Sequence, residues 1–175
     1  MNNWIMTHTG KKFKPFNPRT EDIDIEDIAH ALSNICRFNG HVNQFYSVAE
    51  HSVLVSVLCP EELKLKGLLH DAAEAYLGDV PSPLKTESQE AAEAILLNKI
   101  FEKFRVASGG NGIIHQIDEQ VLFWEALKLG MDPFSWDWMP DGQIDKGDCC
   151  PELIQCLEPT RVKKLFLSHF HSLTT

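Results

Sequence analysis

The sequence predicts a compact all-α bundle preceded by a short irregular or hairpin arm. Three observations carry that reading: apolar residues recur at helical spacing, capping signatures head several of the periodic segments, and glycines or prolines separate them. With 175 residues, the chain is expected to form one domain over 1–175. In order, "WIMTHTGKKFKPFNPR" is an arm with Thr9-Gly10 as its turn, and Pro15 and Pro18 bar a helix. From Asp24, Ile25, Ile28, Ala29, Leu32 and Ile35 form a helical stripe. Ser47 and Glu50 make a capping box at the head of "SVAEHSVLVSVL". Pro60 opens a helix that runs to Gly78, and Thr86 with Gln89 boxes the next one. "SGGNG" (108–112) is a loop before a helix closed by Gly130. Residues 131–151 are irregular, and Pro159 starts a closing helix. About six helices are expected on these signals.

Composition excludes several classes of function. A net charge of −9 disfavours a nucleic-acid groove, which rests on clustered Lys and Arg. No apolar run reaches the ~18 residues of a membrane helix, and the N-terminus carries no signal-peptide core, so a cytoplasmic location is expected. The odd number of cysteines, five, fits no disulfide framework. Cys149, Cys150 and Cys156 lack the second pair and the well-placed histidine of a zinc site. His169 and His171, two apart on a helix, point in different directions and cannot share an ion. The aromatic run "FSWDWMP" (134–140) is assigned to packing of the C-terminal segment or to a subunit contact.

The stretch "KGLLHDAAEAYLGDVPSPLK" (66–85) places a His-Asp pair, His70 and Asp71, in an apolar helical context. His51 lies in a second apolar helix, and Asp118 in a third between Ile117 and Val121. An unpaired carboxylate there would be costly, and a shared metal ion would offset the desolvation of all four groups. Such a ligand set, without Cys, suits Mn, Fe, Co, Ni or Zn. On spacing alone, hydrogen-bonded core histidines and a surface aspartate remain the alternative.

"SVAEHS", "LLHDAAEAYLGDVPSPLK" and "IDEQVLFWEA", in that order, resemble the H…HD…D pattern of the HD-domain metal-dependent phosphohydrolases. The resemblance spans roughly residues 10–130 and is nearest to the compact all-helical branch. That branch holds bacterial 5′-deoxynucleotidases and short phage deoxynucleoside triphosphohydrolases. It implies an HD-type helical bundle with His51, His70, Asp71 and Asp118 as ligands of a divalent transition metal. Co, Mn, Zn or Fe fit that set better than Mg, which prefers oxygen.

The resemblance also implies roles around the metal. Glu74, one turn after Asp71, would accept or orient the proton of the attacking water, with Asp79 holding it or touching the sugar. Both could instead be solvated helix-end charges. Lys85, after the stiff "VPSP" turn, and Arg37, at the end of the first helix, are the expected phosphate contacts, and Phe38 lies against the sugar where relatives often carry Trp. His115 stands where relatives carry a phosphate-directed lysine. Pro83 is the candidate wall against the 2-amino group of guanine. His41 serves either the pocket or the capping of its loop. The implied activity is hydrolysis of a deoxynucleoside triphosphate, dATP favoured, to nucleoside and triphosphate. The alternatives are a 5′-deoxynucleotidase acting on monophosphates and a nucleotide sensor without turnover. A homo-oligomer is expected, with no membrane or nucleic-acid polymer among its partners.

Overall fold

The computed structural model describes residues 3–135 and 151–175. Within them the protein is all-α, with one two-stranded antiparallel hairpin. Strand β1 (Ile5–Met6) pairs with β2 (Lys12–Phe13) in the register Ile5–Phe13 and Met6–Lys12. The turn closes through Gly10 N–H donating to Thr7 O, with Gly10 at φ +81°. The expected hairpin is therefore present, and it buries Phe13 against Tyr76, ring centroids 4.0 Å apart.

Helix α1 (Ile25–Asn34) begins at Asp24, whose side chain accepts from Glu26 N–H, and buries Ile28, Ala29 and Leu32 as its stripe requires. Helix α2 (Val48–Leu58) is the core of the fold: every residue from Val48 to Ser56 is buried. Its hydroxyls stay satisfied internally, Ser52 donating to Val48 O and Ser56 to Lys64 O. Around it pack α1, α3 (Lys64–Leu68), α6 (Asn111–Lys128) and α7 (Pro159–Thr174), while α4 (Glu74–Leu77) lies against α1. Helix α5 (Glu87–Phe104) carries the complete Thr86–Gln89 capping box. Two apolar clusters result. The larger joins α1, α2, α5 and α7; the other sits between α2 and α6.

The structure departs from the sequence reading in two places that matter for the site. The helix expected from Pro60 to Gly78 is broken: a 3₁₀ turn (Glu61–Leu63) leads into α3, and residues 69–73 form turns before α4. In that break the bonds run three residues back, Ala72 N–H to Leu69 O and Glu74 N–H to Asp71 O. The count thus rises to seven α-helices among the described residues. The second departure is the Ser47–Glu50 box. Ser47 does accept from Glu50 N–H. The Glu50 carboxylate, however, is buried and accepts the amides of Gln155, Cys156 and Leu157 at 2.7–2.9 Å. A buried carboxylate gains more from three amide donors than from one, so it anchors the approach to α7 instead of its own N-terminus.

Two glycines set the geometry. A Cβ on Gly67 would meet Cys59 Sγ at 2.8 Å and Ser56 Cα at 3.2 Å, so only glycine lets α3 approach α2 this closely. Gly78, at φ +85°, ends α4 and turns the chain toward Asp79. No helix among the described residues is long and apolar enough to cross a membrane.

Candidate metal centre and anion pocket

Four residues from three segments meet at one point. His51 comes from the buried middle of α2, His70 and Asp71 from the break after α3, and Asp118 from α6. In a continuous helix, adjacent residues 70 and 71 would point about 100° apart; the turn lets both face the same centre. His51 Nε2 lies 3.3 Å from His70 Nε2, 3.0 Å from Asp118 Oδ1 and 3.5 Å from Asp71 Oδ2. His70 Nε2 lies 3.2 Å from Asp71 Oδ2 and 3.9 Å from Asp118 Oδ1.

The opposite ring nitrogens are already committed. His51 Nδ1–H donates to Glu125 Oε1 at 2.7 Å, and His70 Nδ1–H to the Gly67 carbonyl at 2.7 Å. In the neutral rings both Nε2 atoms are then acceptors, facing each other and two carboxylates. Acceptors gathered this closely need a cation or added protons between them. His51, His70 and Asp118 each offer one donor atom within 4.8 Å of the others, so this group could hold a metal ion. Asp71 borders it through both imidazoles.

The titration properties follow from that crowding. Burial, then the Arg37 charge, press His51 toward neutrality, yet Glu125 and Asp118 outweigh them and lift its pKa to about 9. His70 is likewise disfavoured as a cation by burial and raised nevertheless, chiefly by Asp71. Burial works against the charge of Asp71 and Asp118 too, but the two imidazoles hold both carboxyls below their ordinary values.

Beside this cluster opens a cavity of about 470 Å³. Arg37, Phe38, Asp71, Glu74, Asp79, Pro83, Lys85 and Asp118 all line it. Glu74 is buried, its Oε2 has no hydrogen-bond partner among the described residues and its Oε1 is 3.9 Å from Lys85 Nζ. Burial first, then the charges of Asp71 and Asp79, push its carboxyl up to about 10. Burial also raises Asp79. Glu74 is thus a buried carboxyl, and Asp79, just past the end of α4, is half-buried.

Three expected contacts stand differently from their sequence description. Arg37 lies beyond α1, which ends at Asn34, in the segment bridged between Cys36 and Ser47. Its Nε donates to Glu125 Oε2 at 3.1 Å and its Nη1 is 3.7 Å from Asp71 Oδ2. Lys85 faces the cavity but is paired with Glu93 of α5 at 2.8 Å. His115 is not brought to the cavity. Its side chain is 69% exposed on α6, 3.5 Å from Glu119, because residue 115 sits one turn nearer the open N-terminal end than Asp118. Phe38, with Asn39, adopts a left-handed backbone (φ +56° and +53°) that sets its ring at the cavity wall, 5.5 Å from the Arg37 guanidinium. That conformation costs a side chain about 1–2 kcal/mol.

Glu125 escaped the sequence reading. It is fully buried and touches both His51 and Arg37. Its signal was an acidic residue between Trp124 and Ala126, two turns after Asp118 on the same helix face. Trp136, Trp138, Cys149 and Cys150 lie outside the described residues. Phe134 meets Phe123 edge-on at 5.2 Å. His169 and His171 do point apart, one to Ser56 Oγ at 2.9 Å and the other edge-on to Phe170.

No protein-family model matches the chain. A Rhodobacter capsulatus protein, described only as uncharacterized, is 42% identical over 91 residues, or 47% of this chain and 46% of that one. The Escherichia coli protein YfdR, also described as uncharacterized, is 36% identical over 180 aligned positions. These cover 98% of this chain and 96% of YfdR. Similarity of that extent and level makes this chain a member of the YfdR family.

Proposed function

We propose that this protein is a metal-dependent phosphohydrolase that cleaves a deoxynucleoside triphosphate, dATP foremost, to deoxynucleoside and triphosphate. The observation that carries the proposal is the pair of imidazoles, each tied through Nδ1, turning Nε2 toward two carboxylates at the wall of a cavity that also presents Arg37, Lys85, Glu74 and Asp79. The four-residue constellation fits a divalent transition metal by donor chemistry. Such an ion would supply Lewis acidity toward a phosphate oxygen and toward water.

The protein's own groups carry the rest. Arg37 and Lys85 meet the phosphates. Glu74 is the proton acceptor: a cation held beside Asp71 would favour its ionised form against the burial that raises it, and so let it take the proton of the attacking water. The water oxygen bonds to the α-phosphorus, the P–O5′ bond breaks, and the 5′-oxygen leaves with the proton that Glu74 took from the water. Asp79 positions Glu74 from the adjoining turn. The Phe38 ring offers no hydrogen-bond partner to a ribose 2′-hydroxyl, a mismatch worth roughly 1–3 kcal/mol against ribonucleotides. Pro83, on the cavity wall, is assigned the rejection of guanine.

One observation favours a second reading, a 5′-deoxynucleotidase acting on monophosphates. Lys85 is already paired with Glu93 and His115 lies outside, which leaves the terminal nitrogens of Arg37 as the main positive charge for three phosphates. Product analysis across the four dNTPs and dNMPs, with Mn, Co, Zn and Mg, separates the readings. Triphosphate released from dATP, with ATP slower by at least about tenfold, is the expected result. Inorganic phosphate from monophosphates alone selects the second reading. Nucleotide binding without turnover under every metal would make the protein a sensor.

A further inference from the structure

Glu125 is the deepest acidic side chain of the described protein and uses both carboxylate oxygens on different functions. Oε1 accepts the Nδ1–H of His51 at 2.7 Å, and Oε2 accepts the Nε–H of Arg37 at 3.1 Å. Neither donor has a second hydrogen-bond acceptor at that atom among the described residues, and Glu125 is shielded completely from solvent. Through Oε1 the carboxylate sets the imidazole so that Nε2 faces His70 and Asp118. Through Oε2 it takes the inner nitrogen of the guanidinium, leaving the terminal nitrogens of Arg37 toward Asp71 and the cavity.

Resting on the metal-site reading above, we propose that Glu125 is the positioning residue that couples the cation site to the anion grip. It is rigid because it is buried on α6 and held at two points, so His51 and Arg37 cannot be set independently. A carboxylate behind a ligating imidazole fixes its tautomer and raises its basicity, and loss of such a partner typically weakens metal binding about 10–100-fold. Here the same loss reaches the anion side, because Arg37 would keep only its longer contact to Asp71.

The test compares wild-type protein with Glu125→Gln in two binding measurements. One is Co(II) affinity by equilibrium dialysis. The other is the affinity of the metal-free protein for inorganic tripolyphosphate by calorimetry. Glutamine keeps the shape but offers one acceptor oxygen for two donors. Co(II) affinity is expected to fall about 10–100-fold, and tripolyphosphate affinity to fall with it. If the variant keeps Co(II) affinity within about threefold, or loses metal but not tripolyphosphate affinity, the coupling is overturned while the metal-site reading stands. Should the variant not fold, nitrogen NMR of Zn(II)-loaded wild type decides: His51 must carry its proton on Nδ1, and a proton on Nε2 overturns the proposal. Wild-type protein that takes up neither Co(II) nor Zn(II) overturns this inference and the metal-site reading together.

Discussion

Glu74→Gln is expected to make the metal-free protein more stable and to leave the metal-loaded protein nearly inactive. The carboxyl is buried, one oxygen has no hydrogen-bond partner among the described residues, and burial together with Asp71 and Asp79 pushes its pKa from the ordinary 4.5 up to about 10. A carboxyl raised in this way contributes its full stability below pH 4.5, and that contribution is lost as pH rises toward 10. At about pH 8 the unfolded chain carries the group ionised and folding must bind a proton. The cost is about 1.4 kcal/mol for each pH unit above 4.5, or near 5 kcal/mol as an upper bound. Relaxation and water at the cavity mouth reduce this to about 2–5 kcal/mol. Glutamine removes the titration while keeping the volume. Urea unfolding of chelator-treated protein should therefore show Glu74→Gln more stable than wild type at about pH 8, with the gap narrowing toward pH 5. The same variant should lose about 10²–10⁴ in turnover. A variant no more stable at pH 8, or one with kcat within about twofold, would refute the assignment of Glu74 as a strained functional acid.

Three further outcomes are expected. Asp71→Asn should lower metal binding measured by dialysis with little change in fold, and in wild type chelation should abolish activity, restored by Co or Mn better than by Mg. Lys85→Ala should raise KM more for a triphosphate than for a monophosphate, at a stability cost below about 1 kcal/mol, since the Glu93 pair is only partly buried. Glu50→Gln should destabilise the protein by about 2–4 kcal/mol in urea unfolding, because one amide oxygen replaces a buried carboxylate that accepts three backbone N–H groups.

The sequence by itself determined the helical class, the turn at Gly10 in an arm it left as hairpin or irregular, and most helix ends. These follow from local rules: the stripe of α1, the box of Thr86 and Gln89, the turn at Gly10, and the proline that opens α7. It also contained His51, His70, Asp71 and Asp118 as polar residues in apolar surroundings, whose desolvation asked for a common partner. Only tertiary structure decided how they meet. The close approach of α3 to α2 at Gly67, just before the break at 69–73, is a contact between segments that no periodicity reports. Glu50 scored as a cap because its neighbour three residues back was serine, yet its carboxylate bonds amides more than a hundred residues away. Glu125 and His115 mark the same limit from both sides. Both are polar residues on α6, one buried behind His51 and the other in solvent, and what separates them is which neighbouring helix covers each position.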